Sequence, residues 1–330
     1  MRISRILPLL LVILFFTFVS TNAQQPGKKG RKKKEKENQK DLISYYYGGI
    51  PIVHLPDEGG FKPLKRISLR PNDPFSGTAD PKRAILNYDD LRRDDALYNE
   101  RIWREIDTRE KLNQSFRYVG EDPEADQQFI SILVDAVRKG QVTAFSADND
   151  LFTTVLDSLQ FETLFKMGCD TVPVYSITDP TKIEYFGIMC KSMGPDDIVK
   201  FRIKENWVFD RSICRMVSRI IGICPLKTIY NIDGVTERGV VPLFWVYYPD
   251  LRPVLAQYDV YNYKNMGQSR MTSEELMENR MFSSRVTKST LDNPRNLTLA
   301  QLYKDKITQL SEGEKILQKL MNYEEDLWSH

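Results

Sequence analysis

Histidine is nearly absent from this chain, which carries only His54 and His330. Imidazole is the commonest general base near neutral pH and the commonest metal ligand. A histidine-dependent nucleophile and a multi-histidine metal site are therefore nearly excluded. No serine has a lysine three positions later, and neither G-x-S-x-G nor G-x-x-x-x-G-K-[ST] occurs. That removes serine–lysine hydrolysis, the nucleophile elbow and the phosphate loop. Paired carboxylates need only common residues, yet among 45 acidic side chains no pair stands apart. Asp148 and Asp150 lack the glycine and distal glutamate of a helix-loop-helix calcium site. Asp148-Asn149-Asp150 reads instead as a cap for a helix over Leu151–Leu159, where Phe152, Val155, Leu156 and Leu159 repeat. The expectation is a chain that is not an enzyme, with no catalytic residues, no cofactor and no metal.

Cysteine is scarce as well. Cys169, Cys190, Cys214 and Cys224 are separated by 20, 23 and 9 residues, unlike the short paired spacings of a zinc site. In an oxidising compartment they could form two bridges, but a chain of this size does not need them, and buried free thiols are the simpler expectation. Cys214 and Cys224 on one continuous strand would stand about 33 Å apart and could not pair.

Long hydrophobic runs are limited to one. Ile6–Val19 is a stretch of 14 residues, apolar but for Thr17, behind Arg2 and Arg5, and Thr21-Asn22-Ala23 offers small residues for cleavage before Gln24. This reads as a cleaved export signal over residues 1–23; a spanning helix needs roughly 20 apolar residues. No cysteine sits at the cleavage point, so lipid attachment is not expected and any tie to a membrane runs through a partner.

What is present is unevenly spread. Residues 24–40 hold eight basic and two acidic side chains, a local charge of +6, while the body from residue 41 carries −6. The segment 24–41 reads as a basic, solvated spacer. Outside the cytoplasm nucleic acid is not expected as its partner; anionic headgroups, lipopolysaccharide phosphates or the acidic body of a neighbouring copy are the better candidates. Residues 42–90 are rich in breakers, with Gly48, Gly49, Gly59, Gly60 and Gly77 and six prolines. They also carry Tyr45, Tyr46, Tyr47, Ile50, Ile52 and Phe61, too much apolar surface for a solvated linker. This predicts an extended arm laid on a surface, either its own body or a neighbour's, with those six residues as candidate assembly contacts.

From residue 91 to 330 the pattern predicts an α+β core: mainly an antiparallel sheet flanked by helices, with C-terminal helices. Tyr98, Ile102, Trp103 and Ile106, with Arg101/Glu105 and Glu105/Arg109 pairs, predict a helix. Phe129, Ile130, Leu133, Val134 and Val137 predict a second, stopped at Gly140. Val142–Phe145, Val172–Ile177, Lys182–Cys190, Ile213–Ile223, Val240–Tyr248 and Leu255–Tyr261 read as strands, and Ile198–Trp207 is open between helix and strand. Both faces of Leu243–Tyr248 are apolar, which marks a central, covered strand, and Trp103 and Trp245 are expected in the core. Thr272-Ser273-Glu274-Glu275 is a capping box. Ser311–Trp328 predicts a helix with Ile316, Leu317, Leu320, Met321 and Leu327 on a common face.

Read together, several stretches resemble one known family. They are IWREIDTREKLNQ (Ile102–Gln114), AFSADNDLFT (Ala144–Thr153), DIVKFRIKENWVFD (Asp197–Asp210), RIIGICP (Arg219–Pro225), VPLFWVYYPDLRPVLAQYDVYN (Val241–Asn262), RMFSSRV (Arg280–Val286) and EEDLW (Glu324–Trp328). In this order they resemble the GldN family, called PorN in non-gliding bacteria, of the type IX secretion system, over roughly residues 97–330. The resemblance implies a non-enzymatic periplasmic ring subunit held beneath the outer membrane by a PorK (GldK) lipoprotein. It also implies self-association within the ring and contact with the periplasmic part of the PorL and PorM (GldM) motor. The alternative from the residues alone is a monomeric periplasmic cell-wall or glycan binder, or a hydrolase using paired carboxylates.

Overall fold

A computed structural model describes residues 43–47, 50–55, 58–62, 64, 85, 87–120, 126–177, 179, 181–233, 236–262 and 271–328. The expected signal and basic spacer lie outside them. In chain order the first strands are β1 (Ile43–Tyr47), β2 (Ile50–His54), β3 (Glu58–Gly59), β4 (Ala96–Asp107), β5 (Ala144–Ser146), β6 (Lys166–Tyr175) and β7 (Ile183–Ser192). They continue with β8 (Lys200–Asp210), β9 (Arg215–Tyr230), β10 (Glu237–Pro242), β11 (Phe244–Tyr247), β12 (Asp259–Val260), β13 (Met271–Thr272) and β14 (Arg285–Ser289). The α-helices are α1 (Phe129–Arg138), α2 (Ser158–Thr163), α3 (Tyr248–Leu255), α4 (Ser273–Glu278), α5 (Leu299–Leu302) and α6 (Lys306–Trp328). The chain divides into two units, residues 1–56 with 169–190 and residues 57–168 with 191–330.

The larger unit is built on a seven-stranded sheet of order β14-β4-β8-β9-β11-β5, with β10 also on β9. Every pairing in it is antiparallel. The fold is therefore α+β with a large antiparallel sheet flanked by helices, as the sequence predicts. Alternation along β8 explains its placement: Phe201 and Ile203 enter the main core, while Lys200, Arg202 and Lys204 take the other face. That core also takes Leu133 from α1 and Leu251 and Leu255 from α3. A second cluster joins Ile102, Val286, Leu299 and Leu320. A third joins Trp103, Cys224, Leu226 and Trp245, so both tryptophans sit in the core as expected.

On the charged face, β4 answers β8 residue by residue. Asp107 lies opposite Lys200, Glu105 opposite Arg202 and Trp103 opposite Lys204. Arg202 and Arg285 both hold the buried Glu105, at 2.7 and 2.9 Å, and Lys200 pairs with Glu237. Such pairs fix register more than they stabilise, because desolvating each charge offsets much of the attraction.

Several local expectations are corrected. The helix predicted around residues 98–109 is β4, because Tyr98, Ile102 and Ile106 share a strand face as well as a helix face, and pairing with both β8 and β14 decides between them. The ambiguous Ile198–Trp207 is likewise strand. No helix covers Leu151–Leu159: Phe152 has a left-handed φ of 57°, and the helix forms only over Ser158–Thr163. Asp148-Asn149-Asp150 therefore caps no helix there. Asn149 Oδ1 accepts from Leu151 N at 3.0 Å, and Asp150 accepts from Trp103 Nε1 at 2.6 Å. Val240–Tyr248 is two strands separated at Leu243, although Phe244, Trp245 and Val246 are buried between β5 and β9 as a central strand requires. Of Leu255–Tyr261, Leu255 ends α3, the chain turns over Ala256–Tyr258, and only Asp259–Val260 is strand. On α6, Leu320 is buried, but Met321, turned by one residue, is 58% exposed. The capping box at Thr272 is present, with Glu275 N donating to Thr272 Oγ1 at 3.2 Å.

Candidate assembly site

Two polar clusters bring titratable side chains together. The ring of Tyr88 lies between the Arg219 and Arg252 guanidiniums, 3.8 and 3.9 Å from its centroid. Its hydroxyl and that of Tyr248 both donate to Glu278 Oε1, at 2.5 and 2.8 Å. Burial pushes both phenols up, and the shared carboxylate adds to this. Burial also raises the Glu274 carboxyl, against the pull of Arg252 Nη2 2.7 Å away. Around Trp103, Lys204 Nζ donates to the Asp150 carbonyl at 2.5 Å and lies 3.6 Å from its carboxylate. Burial lowers Lys204 in spite of that neighbour. Both clusters are closed by their own partners. They tie the segment at Tyr88 and the loop at Asp150 onto the body. Among the described residues no group of three or more His, Cys, Asp or Glu side chains could hold a metal, and no helix is long and apolar enough to cross a membrane.

The candidate contacts of the arm lie elsewhere. β1 and β2 form an antiparallel hairpin in which Tyr45 faces Ile52, Tyr46 faces Pro51 and Tyr47 faces Ile50. β2 then joins β7 in parallel, with Ile52, Val53 and His54 against Phe186, Gly187 and Ile188. β6 pairs with the other side of β7, and a Cys169–Cys190 disulfide links the two strands. This corrects the expectation of free thiols for that pair; Cys214, exposed, and Cys224, buried, remain free. Burial pushes the Cys224 thiol up to about 12, which leaves it inert.

Five of the six candidate residues thus fall in one small sheet, where Ile50 and Ile52 are half-buried. Phe61 falls in the larger unit and meets Phe165 edge to face at 5.1 Å, under the Arg138 guanidinium. Among the described residues, no hydrophobic side chain of the small sheet is fully buried. Sequence reasoning missed the seat that receives the arm, Phe186-Gly187-Ile188. It also missed the disulfide, for which a signal existed: the midpoint of Cys169 and Cys190 falls between Asp179 and Pro180, the turn between two strands already read.

Residues 91–329 match the family model described as gliding motility associated protein GldN. No curated protein matches the chain. The match contains β6 and β7 but begins after the arm that β7 receives.

Proposed function

This chain belongs to the GldN family, and on that premise we propose that it is a non-enzymatic structural subunit of a periplasmic ring in the type IX secretion system. As a family member it is a component of the gliding-motility and type IX secretion machinery. In the proposed reading residues 1–23 direct export and are removed, 24–41 form a spacer, 42–90 an arm and 91–330 the core. The ring is held at the outer membrane through a GldK (PorK) lipoprotein and couples to the periplasmic part of the PorL and PorM (GldM) motor.

The observation that carries this reading beyond the family match is the small sheet. It is made by an arm with apolar side chains that stay half-exposed, as interface residues do before a partner covers them. A ring needs a heterologous contact that closes. Mature chain mixed with a GldK-type lipoprotein is expected to elute as a large complex by size exclusion with light scattering. A persistent monomer would overturn the proposal.

A further inference from the structure

We propose that β2 and β3, with the adjoining Leu55 and Phe61, are an exchange element, laid in the assembly into the seat of a neighbouring copy of this chain. The proposal rests on the ring reading above. From β2 onward the described part of the arm runs parallel to β7. Beyond the β2 register, Leu55 N donates to Ile188 O at 2.9 Å, and Glu58 and Gly59 stand in parallel register with Lys191 and Ser192. Phe61 then meets Phe165, and Leu64 is buried. This is strand addition, a mode in which main-chain hydrogen bonds hold and side-chain pockets select. The added segment comes from far away in the sequence.

The seat is shaped for this arm. A Cβ on Gly187 would lie 2.6 Å from Leu55 Cδ1, so glycine there lets that leucine lie against β7 without turning aside. Gly59 takes φ +86° and approaches so closely that a Cβ would lie 2.5 Å from Ser192 O. The paired strands β6 and β7 are joined by their own disulfide, so the seat does not depend on which copy supplies the arm. Residues 65–84 connect the arm to the body, and twenty residues can reach roughly 70 Å when extended. That exceeds the roughly 30 Å width of a small domain. Exchange preserves every contact named here. The choice between own and neighbouring seat therefore turns on the connection and on the local concentration of seats, which a ring raises. Passing each arm to the next copy is a head-to-tail contact, the kind that closes a ring.

The test uses the full mature chain carrying Cys214→Ser, which removes the exposed thiol. Ile52→Cys and Phe186→Cys are combined in one chain, and His54→Cys with Ile188→Cys serves as a second pair should the first disturb folding. After assembly with the GldK-type lipoprotein, a short bismaleimide is added and the chains are run on a denaturing gel. Exchange predicts a ladder of covalently linked chains, and a linked pair when the two single variants are mixed. Assembled material linked only within single chains overturns the exchange and leaves the ring reading standing. Chains that stay monomeric with the lipoprotein overturn both.

Discussion

In the larger unit, Phe244 is fully buried against Phe161 and Phe165, with Ile203 and Ile223 at zero exposure in the same core. In the smaller one, Phe186 and Ile188 occupy equivalent central-strand positions and remain half-exposed. The first sheet is held by burial, at about 25 cal/mol for each Å² of apolar surface. The second is held by strand pairing, a disulfide and the fit of Leu55 over Gly187. The comparison is therefore one between a part held by its own core and a part held by strand pairing and a covalent link.

The comparison breaks if truncations cost the same in both places. Phe244→Ala is expected to lower the stability of the larger unit by about 3–5 kcal/mol, as for other buried phenylalanines, read from the urea midpoint of tryptophan fluorescence. All four tryptophans, Trp103, Trp207, Trp245 and Trp328, lie in that unit, so the signal reports on it alone. Ile52→Ala should leave this midpoint in place, because Ile52 belongs to the smaller unit. A large shift there would mean that the two units are not separable in energy.

Next in size is the disulfide. Replacing Cys169 and Cys190 by serine releases a loop with a sequence separation of 21, worth about 3 kcal/mol in the chain-entropy account. The loss should appear as faster hydrogen exchange at Phe186–Ile188, with exchange in β8 and β9 unchanged. If the β7 amides keep their protection, pairing alone holds the small sheet.

A sharper contrast comes from two glycines. A Cβ on Gly222 would lie 2.5 Å from the Phe152 ring, which is wedged among Phe145, Trp245 and Tyr247. Gly222→Ala is expected to cost about 1–3 kcal/mol by overpacking. Gly187→Ala meets the tip of the half-exposed Leu55, which can turn aside, so its cost should be less than about 1 kcal/mol. Equal costs would mean that Leu55 is as fixed as Phe152.

The same contrast decides what was legible in the sequence. α1 and the Thr272 capping box are local statements, and both are found. β11 announced its covered position by being apolar on both faces. β4 was misread because its charges fit helical pairs, while its partners lie a hundred residues downstream in β8 and further still in β14. The arm was visible as an excess of aromatic surface over what a linker exposes. Its seat was not, because strand addition is read by the main chain and leaves almost no mark on side-chain pattern. Gly187 was the single trace, and an isolated strand glycine has several meanings.

The smallest expected effect is the response to acid, and its sign can be worked out in the larger unit. Burial alone would raise the Glu105 carboxyl, but Arg202 and Arg285 together outweigh it and hold Glu105 below the ordinary range. A depressed carboxyl adds stability that is complete above its unfolded value, about 4.3, and is lost as pH falls through the folded one. Glu274 has the opposite sign, since burial raises it in spite of Arg252. Its ionised form costs stability as pH rises through the folded value, and that cost disappears on acidification. Lowering the pH should first relieve Glu274 and then release Glu105, giving a shallow maximum in the stability of the larger unit on the acid side. Glu274→Gln should remove the rise and Glu105→Gln the fall, each followed by tryptophan fluorescence in urea across pH 3–7. If both variants keep the wild-type profile, the arginine pairs on the sheet face set register without setting the acid response, and the charged ladder of β4 and β8 is a device of pairing alone.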